Sequence, residues 1–368
     1  MESETQYLVA AVQVTEPSLV FEQENKVNFE LIARKNLITK LNDKWEKFKK
    51  GGNDYEMIFT TTRINYSQAS VSLINPVSRA YFKHWEILHD QKNCIQYENK
   101  PKMKCAFLAE GPGGFLQAMF DLRSKEDPSD DDYFGITLLS REKSVPYWKL
   151  PEYVMHAPNV RLLTGVDETG SLYNPQNIIS FISDIGANSC DYVTGDGGFD
   201  FSDDFNKQEI NCLRLLVAEA YLAMELLKPQ GCALIKMFNI VMPNSKRFLQ
   251  ILSESFENIR ICKPCTSRPA NSEKYIFCSG FKENKYKDLL WNIILRPQEL
   301  PLPSNTVSLV DDKLFFQKVS KINTLMMLDQ IEQIDKTILM IKENRMGDAG
   351  YQTKVARQWC IKYGIPYK

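Results

Sequence analysis

From residue 105 onward the apolar residues fall into short runs of strand length, separated by longer stretches where they recur every three or four positions. The runs are 105–109 (CAFLA), 133–139 (YFGITLL), 160–164 (VRLLT), 190–195 (CDYVTG), 231–238 (GCALIKMF), 258–263 (NIRICK) and 274–281 (KYIFCSGF). Helical spacing fills 114–123, 175–186, 206–228 and 244–256, the third stopping at Lys228-Pro-Gln-Gly231. Strand and helix in alternation predict an α/β fold: a mostly parallel seven-stranded sheet with helices on both faces. No helix separates the last two runs, so one of them is expected to be antiparallel, at or near an edge.

The flanks have another character. Residues 26–50 are helical in pattern and rich in lysine, with Arg34, Lys35, Lys40, Lys44, Lys47, Lys49 and Lys50. A second helix is predicted over 76–90, and the acidic run 126–132 reads as a solvated loop. Beyond about residue 283 lies a Pro-rich connector, then an amphipathic segment at 312–344 carrying Phe315, Val319, Ile322, Leu325, Ile331, Ile334, Ile338 and Ile341 near one stripe. The expected division is a helical, Lys-rich extension over 1–74, the sheet domain over 75–283 and a helical extension over 284–368. A stripe that long should bury itself on the sheet domain or on a partner protein.

Composition narrows the classes. The 368 residues are 43% hydrophobic, ample for a core, and the net charge of −1 means that a nucleic-acid partner must be held by local basic patches. No apolar run reaches 18 residues and no basic stretch precedes an apolar one at the start, so neither a membrane span nor a signal peptide is expected. The nine cysteines are scattered, several inside strand-like runs, as expected of reduced thiols in an intracellular protein. Cys262-Lys-Pro-Cys265 closes a strand rather than opening a helix, and no histidine lies at ligand spacing, so no metal is expected.

The chemistry begins at "FLAEGPGGFLQAMFDLR", 107–123, where a strand runs into a glycine turn and then a helix. Such a turn exposes backbone amides at the carboxyl end of a parallel sheet and lets a ligand come close. It is neither a dinucleotide fingerprint nor a P-loop, which would end in Gly-Lys-Ser/Thr. Glu110 at the strand tip suits a positive centre, such as the sulfonium of S-adenosylmethionine, better than a pyrophosphate. Asp196 follows another strand and precedes two glycines, while Lys236 stands near the end of an apolar run on the same rim. A partly buried lysine beside a carboxylate is the kind of group that does proton chemistry.

Together these motifs resemble the FtsJ/RrmJ-like RNA 2′-O-methyltransferases, and among them the cap-specific enzymes of eukaryotes and large DNA viruses. The likeness rests on Ser78-Arg-Ala-Tyr-Phe-Lys83, Ala109-Glu-Gly-Pro-Gly-Gly-Phe115, Gly135-Ile-Thr-Leu138, Asp196-Gly-Gly-Phe199, Lys236-Met-Phe238 and "KPCTSRPANSEKYIFCSGFK" at 263–282. It implies a Rossmann-like methyltransferase fold and transfer of methyl from S-adenosyl-L-methionine to the ribose 2′-OH of the first transcribed nucleotide of capped mRNA. The family's Lys-Asp-Lys-Glu tetrad falls on Lys83, Asp196, Lys236 and Glu273, with Lys236 as the base. Lys83 and partial burial would lower its pKa while Asp196 and Glu273 limit that shift, so its net direction is not fixed by the sequence. The resemblance places Ser78, Ala109, Glu110, Gly111, Pro112, Gly113, Gly114, Phe115, Thr137 and Asp196 at the cofactor, and Asn206, Arg268 and Asn271 at the RNA. Ser78 stands where these enzymes carry asparagine. Ser171 replaces an expected acidic contact, for which Asp167 or Glu168 could substitute. The implied partner is the capped 5′ end of mRNA, and the implied compartment is nucleus or cytoplasm.

Overall fold

The computed structural model describes residues 6–61, 63–64, 67–124, 130–142, 145–198, 208–297 and 313–368. Eight strands in chain order form one sheet: β1 (Gln6–Leu8), β2 (Lys104–Leu108), β3 (Asp132–Ile136), β4 (Val160–Leu163), β5 (Cys190–Gly195), β6 (Leu227–Met237), β7 (Phe256–Cys262) and β8 (Lys274–Phe281). Their spatial order is β1-β7-β8-β6-β5-β2-β3-β4. The run from β6 through β5, β2 and β3 to β4 is parallel, and β8 is antiparallel to both of its neighbours. The strand order reverses between β2 and β5, so the glycine turn after β2 and Asp196 after β5 meet where open α/β sheets take their ligands.

The sequence led us to expect seven strands, and β1 makes the eighth. It pairs antiparallel with β7, Tyr7 opposite Ile261, and three residues are too few to print an alternation. The inverted strand is β8, third from the edge, with β7 and β1 outside it.

The helices that bear on the site, in chain order, are α1 (Val20–Leu41), α2 (Asp43–Phe48), α3 (Ala80–Asp90), α4 (Gly114–Ser124), α5 (Pro175–Ile185), α6 (Gln208–Leu226), α7 (Pro243–Ser255), α8 (Lys287–Leu295), α9 (Lys313–Lys342) and α10 (Ala349–Lys362). One face of the sheet is covered by α5, α6, α7, α8 and the start of α9, the other by α3, α4 and α10. Neither α8 nor α10 was read from the sequence, because short helices beside Pro- and Lys-rich stretches carry little periodicity.

The long helix α9 buries Phe315, Val319, Ile322, Met327, Ile331, Ile334 and Ile338, while Leu325 turns to solvent. Its second half packs with Val27, Leu31, Ile38 and Trp45 of α1 and α2. A buried polar knot fastens the pairing: Lys246 of α7 meets Glu24 of α1 at 2.5 Å and Ser320 of α9 at 2.7 Å, and Asn323 donates to Glu24 at 3.0 Å. The apolar stripe therefore finds its cover within this chain. The basic residues of 34–50 do not make one open face, since Lys35 is buried, Arg34 pairs with Asp335 at 3.3 Å and Lys49 pairs with Glu46. Among the described residues, no helix is long and apolar enough to cross a membrane.

Ile334 is fully buried where α9 meets α1 and α2. Ile334→Ala should cost about 2–5 kcal/mol, the sum of lost transfer energy and an unfilled cavity. Urea unfolding of the full chain would measure it; a loss below about 0.5 kcal/mol would mean that the two helices do not depend on each other.

Candidate active site

The turn after β2 is built by contacts within the chain. Ala109 takes a left-handed φ of 53°, and its N–H donates to Ile136 O at 2.8 Å. Gly111 N–H donates to Thr137 Oγ1 at 2.9 Å, and Gly113 N–H to Glu110 O at 2.7 Å. The Gly111–Pro112 peptide is cis. Here an expectation changes. The space beside the three glycines is filled by protein, not left open for a ligand. A Cβ at Gly111 would collide with the Pro146 carbonyl, and one at Gly113, whose φ is 109°, would meet Leu150 at 2.5 Å. At Gly114 it would stand 2.6 Å from Ser78 Oγ and 2.8 Å from Tyr81 N. Glycine is required there because α4 must start against the first turn of α3.

Glu110 also differs from the reading of a carboxylate facing outward. It is buried and turns back to accept from the Phe115 and Leu116 N–H groups, capping α4. Burial, with Asp196 nearby, pushes its pKa well above the ordinary carboxylate range. With those amides taken, the helix start offers little to a pyrophosphate. Phe115 points into the core, stacked on His84 at 4.4 Å between centroids. The acidic alternative Asp167 is bound within its own turn by Asn174, Asn177 and Thr169, which hold it well below the usual range.

Helix α3 supplies the other half. Arg79, Lys83 and Glu86 share one edge at spacings of four and three. Arg79 donates to Thr266 O at 2.8 Å, and Glu86 accepts from Cys265 N at 2.8 Å and Thr266 N at 3.2 Å. That edge grips the 263–273 loop while Lys83 reaches Glu273 Oε1 at 2.7 Å. His84, beside Lys83, bridges Phe115 O at 2.9 Å and Tyr192 OH at 3.1 Å, and burial lowers its pKa to about 3. Arg79 lies inside the 78–83 motif without an assigned role, and Glu86 had no sequence signal beyond the helical spacing. The nearby Cys262 and Cys265 thiols are pushed up to about 12 by burial, the opposite of a reactive pair.

Lys83, Asp196, Lys236 and Glu273 come together. Lys236 Nζ lies 3.5 Å from Asp196 Oδ1 and 3.9 Å from Glu273 Oε2, and Tyr275, paired opposite Lys236 across β6 and β8, donates to Asp196 at 3.2 Å. Burial pushes the Glu273 pKa up, but Lys83, Lys236 and Lys263 outweigh it and hold the carboxylate well below its ordinary 4.5. Burial would lower the Lys236 pKa, yet Asp196 and Glu273 prevail and raise it above 10.5. The direction of the shift is set by the two carboxylates within 4 Å of the Lys236 amine. Asp196 is raised by burial despite both lysines.

Glu219 on α6 was missed, hidden in an amphipathic helix. It is buried, accepts from Gly197 N at 3.0 Å, and supports the turn carrying Asp196. Burial raises its pKa to about 8. Arg268 pairs with Glu56 at 3.4 Å, and Asn271 is exposed, accepting from Glu273 N at 3.2 Å. Asn206 lies outside the described residues.

On the Glu273 side a groove of about 770 Å³ opens between Asn53–Tyr55, the 263–274 loop, α9 and α10. A smaller cavity of about 160 Å³, edged by Lys35, Trp45, Lys49 and Arg268, shares Asn53, Asn271 and Gln330 with it. None of residues 109–115 lines either space.

Among known proteins, the family model described as FtsJ-like methyltransferase matches residues 76–281. The cap-specific mRNA (nucleoside-2′-O-)-methyltransferase 1 of Xenopus laevis is 28% identical over 341 residues, covering 85% of this chain and 38% of that protein. The enzyme of the same name from Trypanosoma cruzi is 29% identical over 238 residues, 61% of this chain and 62% of that protein. That of Trypanosoma brucei brucei is 33% identical over 172 residues, 46% and 45% respectively. The chain spans less than two thirds of the length of each.

Two outcomes follow. Gly114→Ala should lower stability by about 1–3 kcal/mol through overpacking against α3, read by denaturant unfolding; an unchanged midpoint would mean the turn yields freely. Glu219→Gln mimics the protonated acid. The folded pKa of about 8 stands above the ordinary 4.5, so the wild type holds this contribution below pH 4.5 and loses it as pH rises toward 8. The variant's advantage should therefore open between those values and level off, on the order of a few kcal/mol. A margin independent of pH would refute the assignment.

Proposed function

We propose that this chain, which belongs to the FtsJ-like methyltransferase family, transfers a methyl group from S-adenosylmethionine to a ribose 2′-OH at the capped 5′ end of an RNA. The observation carrying this reading is the ion-paired cluster Lys83–Glu273–Lys236–Asp196 at the carboxyl ends of β5 and β6, beside the glycine turn. Support for the acceptor comes from the similarity to the cap-specific enzymes and from the adjoining groove. Its smaller chamber gathers Lys35, Lys49 and Arg268, suited to phosphates, and its larger one sets Tyr55 and Tyr351 among Asp54, Asp329 and Glu332, suited to a flat cationic base.

The residues present fit a positively charged methyl donor. Glu110 already occupies the amides that would attract an anion, while Asp196 presents a carboxylate at the switch point of the sheet. When bound, S-adenosylmethionine supplies a methyl group already activated by its sulfonium. Holding the hydroxyl in line contributes most, up to roughly 7–11 kcal/mol in model reactions. Lys236 is the group to take the hydroxyl proton as the new O–C bond forms. Asp196 and Glu273 hold Lys236 as an ammonium in the resting site, so its proton must leave to solvent as the site fills before it can accept the hydroxyl's. Exclusion of water and the positive charge of the donor both disfavour a second cation there. Lys83 and Glu273 fix the rim on which Lys236 acts.

Labelled methyl transfer to short RNAs bearing a cap, a methylated cap or neither tests the reading. Transfer to capped RNA alone is expected. Equal transfer to uncapped RNA would reassign the enzyme to ribosomal or transfer RNA, and none at all would leave a binding subunit. Lys236→Arg keeps the charge but stays protonated, and should lose the roughly 10²–10⁴-fold that a general base supplies while still binding S-adenosylmethionine. Because Glu273 raises the Lys236 pKa, Glu273→Gln should shift the rising limb of the pH–rate profile to lower pH even as the rate falls. Full activity in Lys236→Arg would end the base assignment.

A further inference from the structure

Lys263 opens the 263–282 motif but is not one of the tetrad lysines, and its amine meets four acceptors beside the cluster. It leaves β7 just past Cys262, which pairs with Tyr275, so it stands where the chain returns into β8 through Glu273 and Lys274. Its Nζ donates to Glu273 O at 2.6 Å, to Asn271 O at 3.0 Å, to Asn271 Oδ1 and to Ser267 Oγ at 3.2 Å. Ser267 Oγ in turn donates to Glu273 Oε1 at 2.8 Å, the same oxygen that meets Lys83.

We infer that Lys263 is a positioning residue: its ammonium draws both ends of the 267–273 loop together and, through Ser267, fixes the Glu273 carboxylate between Lys83 and Lys236. This rests on the proposed function for its consequence, but its structural half does not. The acceptors exceed the three protons an ammonium carries, so a group with fewer donors leaves part of the loop untied. The charged groups facing the amine are Glu273, Lys274 and Lys83, and burial draws its pKa down to about 7. Carbonyl and carboxamide oxygens converge on the amine, which meets them as an ammonium below about pH 7. The same loop presents Arg268 and Asn271 to the groove, so Lys263 ties the acceptor side to the reacting side. Its own distance from the hydroxyl's partners, Lys236 and Asp196, is spanned by Glu273. It acts through that residue.

The test uses the full chain with Lys263→Met, which keeps the apolar stem and removes every donor, and Ser267→Ala, which cuts only the relay. Hydrogen exchange of the 267–273 amides, affinity for S-adenosylmethionine and kcat on capped RNA are measured in parallel. The expected result for Lys263→Met is faster exchange confined to that loop, unchanged cofactor affinity and a kcat lower by about a hundredfold, the scale of a misplacement near 1 Å. Ser267→Ala should lower kcat less, and the double variant should be no worse than Lys263→Met alone. Lys263→Arg, which keeps charge and donors, should recover part of the rate. Unchanged loop exchange in a folded Lys263→Met protein overturns the proposal, and so does loosened exchange with kcat intact. If Lys263→Met does not fold, a normal kcat in Ser267→Ala overturns the relay. If the wild type methylates no RNA, the proposed function fails while the exchange measurement still decides whether Lys263 orders the loop.

Discussion

A carboxylate withdrawn from water must meet positive charge or take up a proton, and Glu273 meets three lysines. Lys83 touches it, Lys236 lies within 4 Å, and Lys263 closes the chain behind it. Those cations keep Glu273 ionised although it is buried. The dependence is mutual, because a buried lysine left alone would shed its proton, and here Asp196 and Glu273 hold Lys236 charged. Removing one of the carboxylates or lysines that pair with Lys236 or Glu273 shifts the titration of its partner, so the cluster titrates as coupled groups.

Much of the architecture serves to bring those charges to one place. The parallel strands end on a common rim, so Asp196 after β5 and Lys236 late in β6 become neighbours though far apart in sequence. The inverted strand β8 returns to that rim from the other side and delivers Glu273 at its entry. Helix α3 adds Lys83 and, through Arg79 and Glu86, holds the loop from which Glu273 emerges. The glycine turn serves the same end. Gly114 lacks a side chain so that α3 and α4 can start against each other, which sets where Lys83 stands, and Gly111 and Gly113 make room for the segment of Pro146 and Leu150.

The flanking helices are part of the same construction. α9 and α1 are fastened through a buried knot that includes Lys246, Glu24 and Asn323, and Lys274, next to Glu273, reaches Asn323 at 3.4 Å. Trp359 of α10 donates to Glu86 at 3.1 Å. Segments outside 76–281 thus wall the groove and brace the loop that carries the tetrad's glutamate.

What the sequence determined by itself was local and periodic. Apolar runs of strand length gave seven of the eight strands with ends within about four residues, helical spacing gave α1, α3 to α7 and α9, and a family-like order of motifs marked the four charged residues. These features are written in spacing, and spacing survives without a fold. What only the tertiary structure decided depends on distance and burial. β1 exists because β7 offers it an edge. Glu110 turns inward because the start of α4 leaves amides to be satisfied, and Glu219 matters because a buried helix face meets the Asp196 turn. The sign of the Lys236 shift was beyond reach for the same reason: burial and opposite charge push it in opposite directions, and ångström separations decide which prevails.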